Sequence, residues 1–169
     1  DVPEKDKKAA IRQALEEAQV ICCTTVSAGS ALLKDFCFPL VLVDEASQIT
    51  EPATMIPICR GCQQLVLCGD HCQLPPTVKS ETPTAEALKL SLFDRLSMQG
   101  VKPLLLNTQY RMHPMLSGYP AERFYNGQLH DDPGTSKFEL PAAWPWEKPL
   151  AVVPVYTPEE QQKNGHSYV

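Results

Sequence analysis

The run Leu40-Val-Leu-Val43, bounded by Pro39 before it and Asp44-Glu45 after it, constrains this chain more than any other stretch. A short, wholly apolar run between breakers predicts a strand in the interior of a parallel sheet. A second such run, Gln64-Leu-Val-Leu-Cys68, follows a segment over residues 52–58 that suits a short helix. Strands separated by helical segments favour an α/β fold built on a parallel sheet.

The remaining pattern fits that frame. Ala10, Ile11, Ala14, Leu15 and Ala18 repeat at helical spacing and predict a helix over residues 6–18. Val20-Ile-Cys-Cys-Thr24 reads as a short buried strand, and Ser30 as the cap of a short helix through Leu33. Leu88, Leu92, Phe93 and Leu96 share a helical face over residues 88–98, which Gly100 ends; Leu104-Leu-Leu106 resumes the strand pattern. Residues 118–125 read as a helix despite Pro120, and residues 131–149 as loop. In that loop Trp144 and Trp146 are expected to anchor a core or lid rather than stack on bases. Residues 150–155 read as another strand and residues 159–165 as a polar loop.

Length and composition narrow the function. The 169 residues suffice for one domain with a sizeable core, or for joined parts of two. A content of 43% hydrophobic and 21% charged residues argues against disorder. The net charge of -5 argues against a surface that grips nucleic acid all over, and leaves room only for a narrow contact track. Seven cysteines, an odd number set in apolar runs, point to reduced thiols and hence to an intracellular protein, cytoplasmic or nuclear. Cys59-Arg-Gly-Cys62 has the spacing of half a zinc site, but Cys68 in a strand and Cys72 beside a polar turn need not face it. No apolar run approaches the roughly 20 residues of a membrane span and no secretory signal is present, so no membrane partner is expected.

Three polar clusters follow the apolar runs. Asp44-Glu45 would sit at the C-terminal edge of a parallel sheet, where ligands commonly bind. One carboxylate there can hold magnesium and its neighbour can deprotonate an attacking water; a solvated loop is the bland alternative. Gly69-Asp70 end the second run, with Gln73 placed to orient a water or sense a γ-phosphate, or simply to belong to a capped turn before Pro75-Pro76. Arg111, between Tyr110 and His113, can clamp phosphate charge or make a surface ion pair. His113 and His71 read as structural or loop residues. No G-x-x-x-x-G-K-[ST] phosphate loop occurs anywhere in the 169 residues.

Taken in order, Val20-Ile-Cys-Cys-Thr-Thr25, Val43-Asp-Glu-Ala-Ser-Gln48, Gly69-Asp-His-Cys-Gln-Leu-Pro-Pro76 and Gln109-Tyr-Arg-Met-His-Pro114 resemble motifs of superfamily 1 helicases of the Upf1-like group. The resemblance spans about residues 10–130 and thins towards Ser167-Tyr168. It implies a RecA-like parallel-sheet motor fold, truncated: residues 1–100 the distal part of a first lobe, and 101–169 the beginning of a second. It implies ATP and magnesium as ligands, Asp44 on the metal, Glu45 activating water, Gln73 sensing the γ-phosphate and Arg111 reaching it from the second lobe. Asp70 would organise its loop, Gln109 would support Arg111, Thr24 and Thr25 would face single-stranded RNA or DNA, and Pro75-Pro76 would stiffen the coupling. A motor lacking the Walker A loop is expected to be inactive alone and to need the missing helicase segments or a partner protein. Two other functions fit the same residues: a non-catalytic helicase-like binding or regulatory protein, and a two-metal nuclease using Asp44 and Asp70.

Overall fold

The computed structural model describes residues 3–154 and 156, and the chain divides into two compact units, Asp1–Leu104 and Leu105–Val169. The expected loop over residues 159–165 and the Ser167-Tyr168 end of the resemblance lie outside the described residues. Among the described residues each unit contains one parallel strand pair, in keeping with an α/β fold.

In the first unit β1 (Leu40–Val43) pairs in parallel with β2 (Gln64–Leu67), with Leu40 opposite Gln64 and Val43 opposite Leu67. The crossover between them is α2 (Glu51–Ile58), entered through Thr50 and carrying Pro52 in its first turn, where a missing N–H costs no helical bond. Val41 and Val43 face inward and, with Ala46, gather Phe38, Ile49, Cys62, Leu67 and Phe93 around them. The opposite face departs from the sequence reading. Leu40 and Leu42 are 60% and 62% exposed, so β1 is buried on one side rather than both.

Phe93 belongs to α4 (Leu92–Met98), whose start is fixed by a buried serine. Ser91 Oγ accepts from Asp94 N at 3.0 Å and donates to Asp94 Oδ2 at 2.7 Å, an N-cap that satisfies an otherwise orphaned amide. This cap is why the helix begins at residue 92 and not at 88; the preceding stretch forms its own short helix, α3 (Pro83–Ala87). Arg95 then clamps Glu51 with two bonds, Nε to Oε2 at 2.8 Å and one terminal nitrogen to Oε1 at 2.7 Å, tying α4 to the start of α2.

That pair carries a pH dependence. The hydrogen bond from Arg95, and then its charge, hold the Glu51 carboxylate below its ordinary value of 4.5. A carboxylate depressed in the folded state stabilises fully above its unfolded pKa, and the contribution disappears as pH falls through the folded one. Glu51→Gln is therefore expected to lower the urea midpoint at neutral pH by a small amount, because the pair is partly solvated, and the gap should close as pH falls through the lowered pKa of the folded-state carboxylate. A gap that stays constant into acid would contradict the assignment.

Helix α1 (Glu4–Glu17) forms where the apolar spacing indicates, yet it buries no residue. Its ties are exposed: Arg12 to Glu16 at 2.8 Å, and Arg12 to Asp35 at 3.4 Å. Two expected strands, one in this unit and one across its boundary with the second, are absent among the described residues. Residues 20–24 form no ladder, and Val20 is 77% exposed; residues 104–106 likewise pair with nothing. An apolar run becomes a strand only where a partner strand takes its backbone groups, and none is present beside either run among the described residues.

In the second unit β3 (Thr108–Gln109) pairs in parallel with β4 (His130–Asp131), Gln109 opposite Asp131. The connection is α5 (Pro114–Tyr125), longer than the helix expected over 118–125 and continuous through Pro120. It ends on Asn126 and Gly127, both at positive φ, as a left-handed C-terminal cap requires. Residues 150–154 form no strand, and Val155 lies outside the described residues. Trp144 and Trp146 meet edge to face at 5.0 Å, and Trp144 Nε1 donates to Lys148 O at 2.8 Å. Neither ring is buried, so they anchor one another and their own loop rather than a core.

Candidate functional site

The two polar turns of the first unit meet because β1 and β2 are adjacent and parallel, which sends both C-terminal ends to one edge. The backbone ladder continues past the strands: Cys68 N donates to Val43 O at 2.8 Å and Ala46 N to Cys68 O at 2.7 Å. Asp70 N then donates to Ser47 Oγ at 3.0 Å, and Ser47 is fully buried. Gly69 permits the approach. A β-carbon there would stand 2.8 Å from Ser47 N, closer than packed atoms come.

Glu45 stands at the head of this edge with φ 52° and ψ 38°, left-handed values that cost a side-chain-bearing residue on the order of 1 kcal/mol. The conformation is held from several sides. Glu45 N donates to Asp44 Oδ1 at 3.1 Å, Gln48 N to Glu45 O at 2.9 Å, and Gln48 Nε2 to Glu45 Oε2 at 2.9 Å. The turn through Ala46–Gln48 thus lifts the Glu45 side chain clear of the sheet into solvent. Oε1 of Glu45 and Oδ2 of Asp44 accept no hydrogen bond among the described residues, so an exposed carboxylate oxygen of each is available to a ligand. A hard oxygen donor such as Asp44 Oδ2 suits magnesium.

Asp70 organises the second turn. Its Oδ1 accepts from Cys72 N at 3.0 Å, its Oδ2 from Gln73 Nε2 at 2.6 Å, and its carbonyl from Gln73 N at 3.1 Å. Gln73 is exposed, with its amide oxygen turned away from that carboxylate. Asp70, His71 and Cys72 form the sole group of three metal-ligating side chains among the described residues, their ligand atoms within 4.8 Å of one another. They are neighbours in a single turn. Burial and then the Asp70 charge raise the Cys72 thiol above its ordinary pKa, which disfavours the thiolate a metal would need.

Thr24 Oγ1 donates to Ser27 Oγ at 2.8 Å and accepts from Ser27 N at 3.2 Å, so it is engaged with the residue that opens the turn Ser27–Gly29. Arg111 lies in the second unit, exposed, and its guanidinium makes no hydrogen bond or ion pair among the described residues. Its backbone is held by the Gln109 side chain, and His113 caps α5 through Nδ1, which accepts from Met115 N at 3.1 Å. Ser47 and Gln48 escaped the sequence reading, as did Asp131. A hydroxyl or amide between two flagged residues carries no periodic signal, and its partner here lies 23 residues away in the case of Ser47.

Two protein-family models, each described as an AAA domain, match the chain over residues 2–81 and 88–169. The chain is 42% identical over 166 residues to the Regulator of nonsense transcripts 1 homolog of Drosophila melanogaster, a match covering 96% of this chain and 14% of that protein. It is 41% identical over 165 residues to ATP-dependent helicase upf1 of Schizosaccharomyces pombe, covering 95% and 18%. It is also 39% identical over 168 residues to 5'-3' DNA helicase ZGRF1 of Mus musculus, covering 98% and 9%. The chain spans less than a fifth of the length of each of these relatives.

Proposed function

Because the chain belongs to the Upf1-like group of superfamily 1 helicases, we propose that it forms the centre of an ATP-driven motor that moves along single-stranded RNA or DNA. Residues 1–100 are the distal part of a first RecA-like lobe and residues 101–169 the beginning of a second, a reading supported by the division of the chain after Leu104. The observation that carries the function is the fastening of the Glu45 and Gln73 turns at one sheet edge through Ser47 and Asp70. Two groups with separate tasks on one phosphate need such a shared frame.

The chemistry is phosphoryl transfer to water. Asp44 is the residue that would hold magnesium, which would supply charge neutralisation on the phosphates. Glu45 takes the proton of the attacking water as its oxygen bonds the terminal phosphorus and the bond from that phosphorus to the departing ADP breaks. Gln73 reports the terminal phosphate, and Arg111 meets the charge that develops on it from the second lobe. Thr24 and Thr25 lie along the strand path, which contacts phosphate without reading bases. The protein acts inside the cell, in cytoplasm or nucleus; among the described residues no helix is long and apolar enough to cross a membrane.

The test is ATP turnover with magnesium, with and without single-stranded RNA. It is measured on the 169-residue chain alone and on the chain joined to a segment bearing a G-x-x-x-x-G-K-[ST] loop. Turnover by the joined protein, stimulated by the strand and absent from the chain alone, is the expected result. Folded joined protein that shows only background turnover would refute the motor.

A further inference from the structure

One carboxylate in the second unit holds a larger share of polar contacts than its place in a loop-rich sequence would suggest. Asp131 Oδ1 accepts from Gln109 Nε2 at 2.5 Å and from Ser117 Oγ at 2.5 Å. Gln109 and Asp131 are direct partners across the parallel pair, so their side chains leave the same face, and Ser117 reaches them from α5 as a buried residue.

The Gln109 amide is saturated in return. Nε2 also donates to Met112 O at 2.7 Å, while Oε1 accepts from Arg111 N at 2.9 Å and from Met112 N at 2.7 Å. Two acceptors face the amide nitrogen and two donors face the amide oxygen. Turning the amide over would set its oxygen against a carboxylate and a carbonyl, and its NH2 against two N–H groups. An ionised aspartate accepts only, so at position 131 it joins the turn's own backbone groups in holding the amide in the orientation that binds the Arg111 turn.

We propose that Asp131 is a positioning residue for Arg111: it fixes the Gln109 amide, and that amide fixes the backbone from which the guanidinium projects. The inference rests on the reading of Arg111 as the cation that meets the terminal phosphate of ATP. Hydrogen bonds from Ser117 and then Gln109 hold the Asp131 carboxyl below its ordinary range, with His113 and His130 adding to the effect, so the acceptor-only form persists through neutral pH. The Arg111 side chain has no partner of its own among the described residues. Its direction is therefore inherited from the turn, and a small misplacement of a phosphate-facing group has a large kinetic cost.

The experiment is amide hydrogen exchange by NMR on the 169-residue chain, without nucleotide. Asp131→Asn replaces the charged acceptor with a neutral one and sets an NH2 group in place of the second oxygen. It should speed exchange at the Arg111 and Met112 amides about tenfold and shift the Gln109 side-chain amide resonances, leaving β1 and β2 unchanged. Asp131→Glu, still acceptor-only, should restore part of the protection. Ser117→Ala removes the other bond to the same carboxylate and should leave Arg111 and Met112 protected. Unchanged exchange in Asp131→Asn overturns the inference, and so does equal loss of protection in Ser117→Ala, which would mark Asp131 as a general support of the unit.

Should Asp131→Asn fail to fold, the wild-type chain decides. The Gln109 side-chain protons and the Arg111 amide should titrate together, below the ordinary carboxylate range, and the absence of that shared titration overturns the proposal. None of these readouts involves ATP, so their failure is distinct from failure of the motor reading, which turnover alone tests.

Discussion

Glu45→Gln is expected to lower ATP turnover by about 10²–10⁴-fold in the protein completed with a phosphate loop, the scale on which a positioned general base contributes. The substitution keeps size and shape and leaves one oxygen that can accept from Gln48 Nε2, and it removes the one property the step needs, a carboxylate that takes a proton. ATP binding should be nearly unchanged, because Asp44 still offers its carboxylate and the rest of the edge is intact. The two carboxylates therefore separate by readout: Glu45→Gln reduces the rate, whereas Asp44→Asn weakens magnesium-dependent nucleotide binding. Position 45 is costly to occupy, since its left-handed backbone is one that side chains other than glycine rarely adopt. Glu45→Gly would relieve that strain, so a stable but inactive Glu45→Gly protein alongside a folded, inactive Glu45→Gln protein would assign the loss to the carboxylate. Folded Glu45→Gln protein with wild-type turnover would remove Glu45 from the chemistry.

Gly69→Ala should disturb both turns at once. The added β-carbon would lie 2.8 Å from Ser47 N and 3.3 Å from Ala46 N and Ser47 Oγ. The two nearest are backbone atoms of the Glu45 turn, which cannot rotate aside as a long side chain can. The edges of β1 and β2 must separate, lengthening the bond from Asp70 N to Ser47 Oγ. Overpacking of this kind costs about 1–3 kcal/mol, which urea unfolding would show as a lowered midpoint at constant slope. Turnover in the completed motor should fall by about 100-fold, because Glu45 and Gln73 would no longer share one frame. Ser47→Ala gives the companion result: it loses the hydroxyl without the clash and should weaken the fastening by a smaller amount. If Gly69→Ala kept both its midpoint and its turnover, the close approach of the two turns would have no bearing on the site.

Much of the site can be read from the sequence because its signals are local. An apolar run ending in Asp44-Glu45, a second ending in Gly69-Asp70, and Gln109-Tyr-Arg-Met-His-Pro114 are contiguous strings. Each states its own chemistry, and their order carries the family resemblance. The helices at residues 4–17 and 51–58 were likewise foreseeable, to within a residue or two, from spacing and breakers. The expected strands at 20–24 and 104–106 failed for the complementary reason. Apolarity makes a segment able to pair, but pairing needs a second strand, and neither segment has one among the described residues.

The sequence by itself determined which segments carry carboxylate, amide and guanidinium, and that the first two of these follow strands of a parallel pair. The tertiary structure alone decided how those groups are held. It opened Leu40 and Leu42 to solvent, set Glu45 in a left-handed turn, seated Asp70 on Ser47, and placed Asp131 on Gln109. The last two contacts join residues 23 and 22 positions apart, through single polar atoms. Burial at regular spacing leaves a period in the sequence, whereas one hydrogen bond across a crossover leaves none, because its partners are chosen by where the backbone returns.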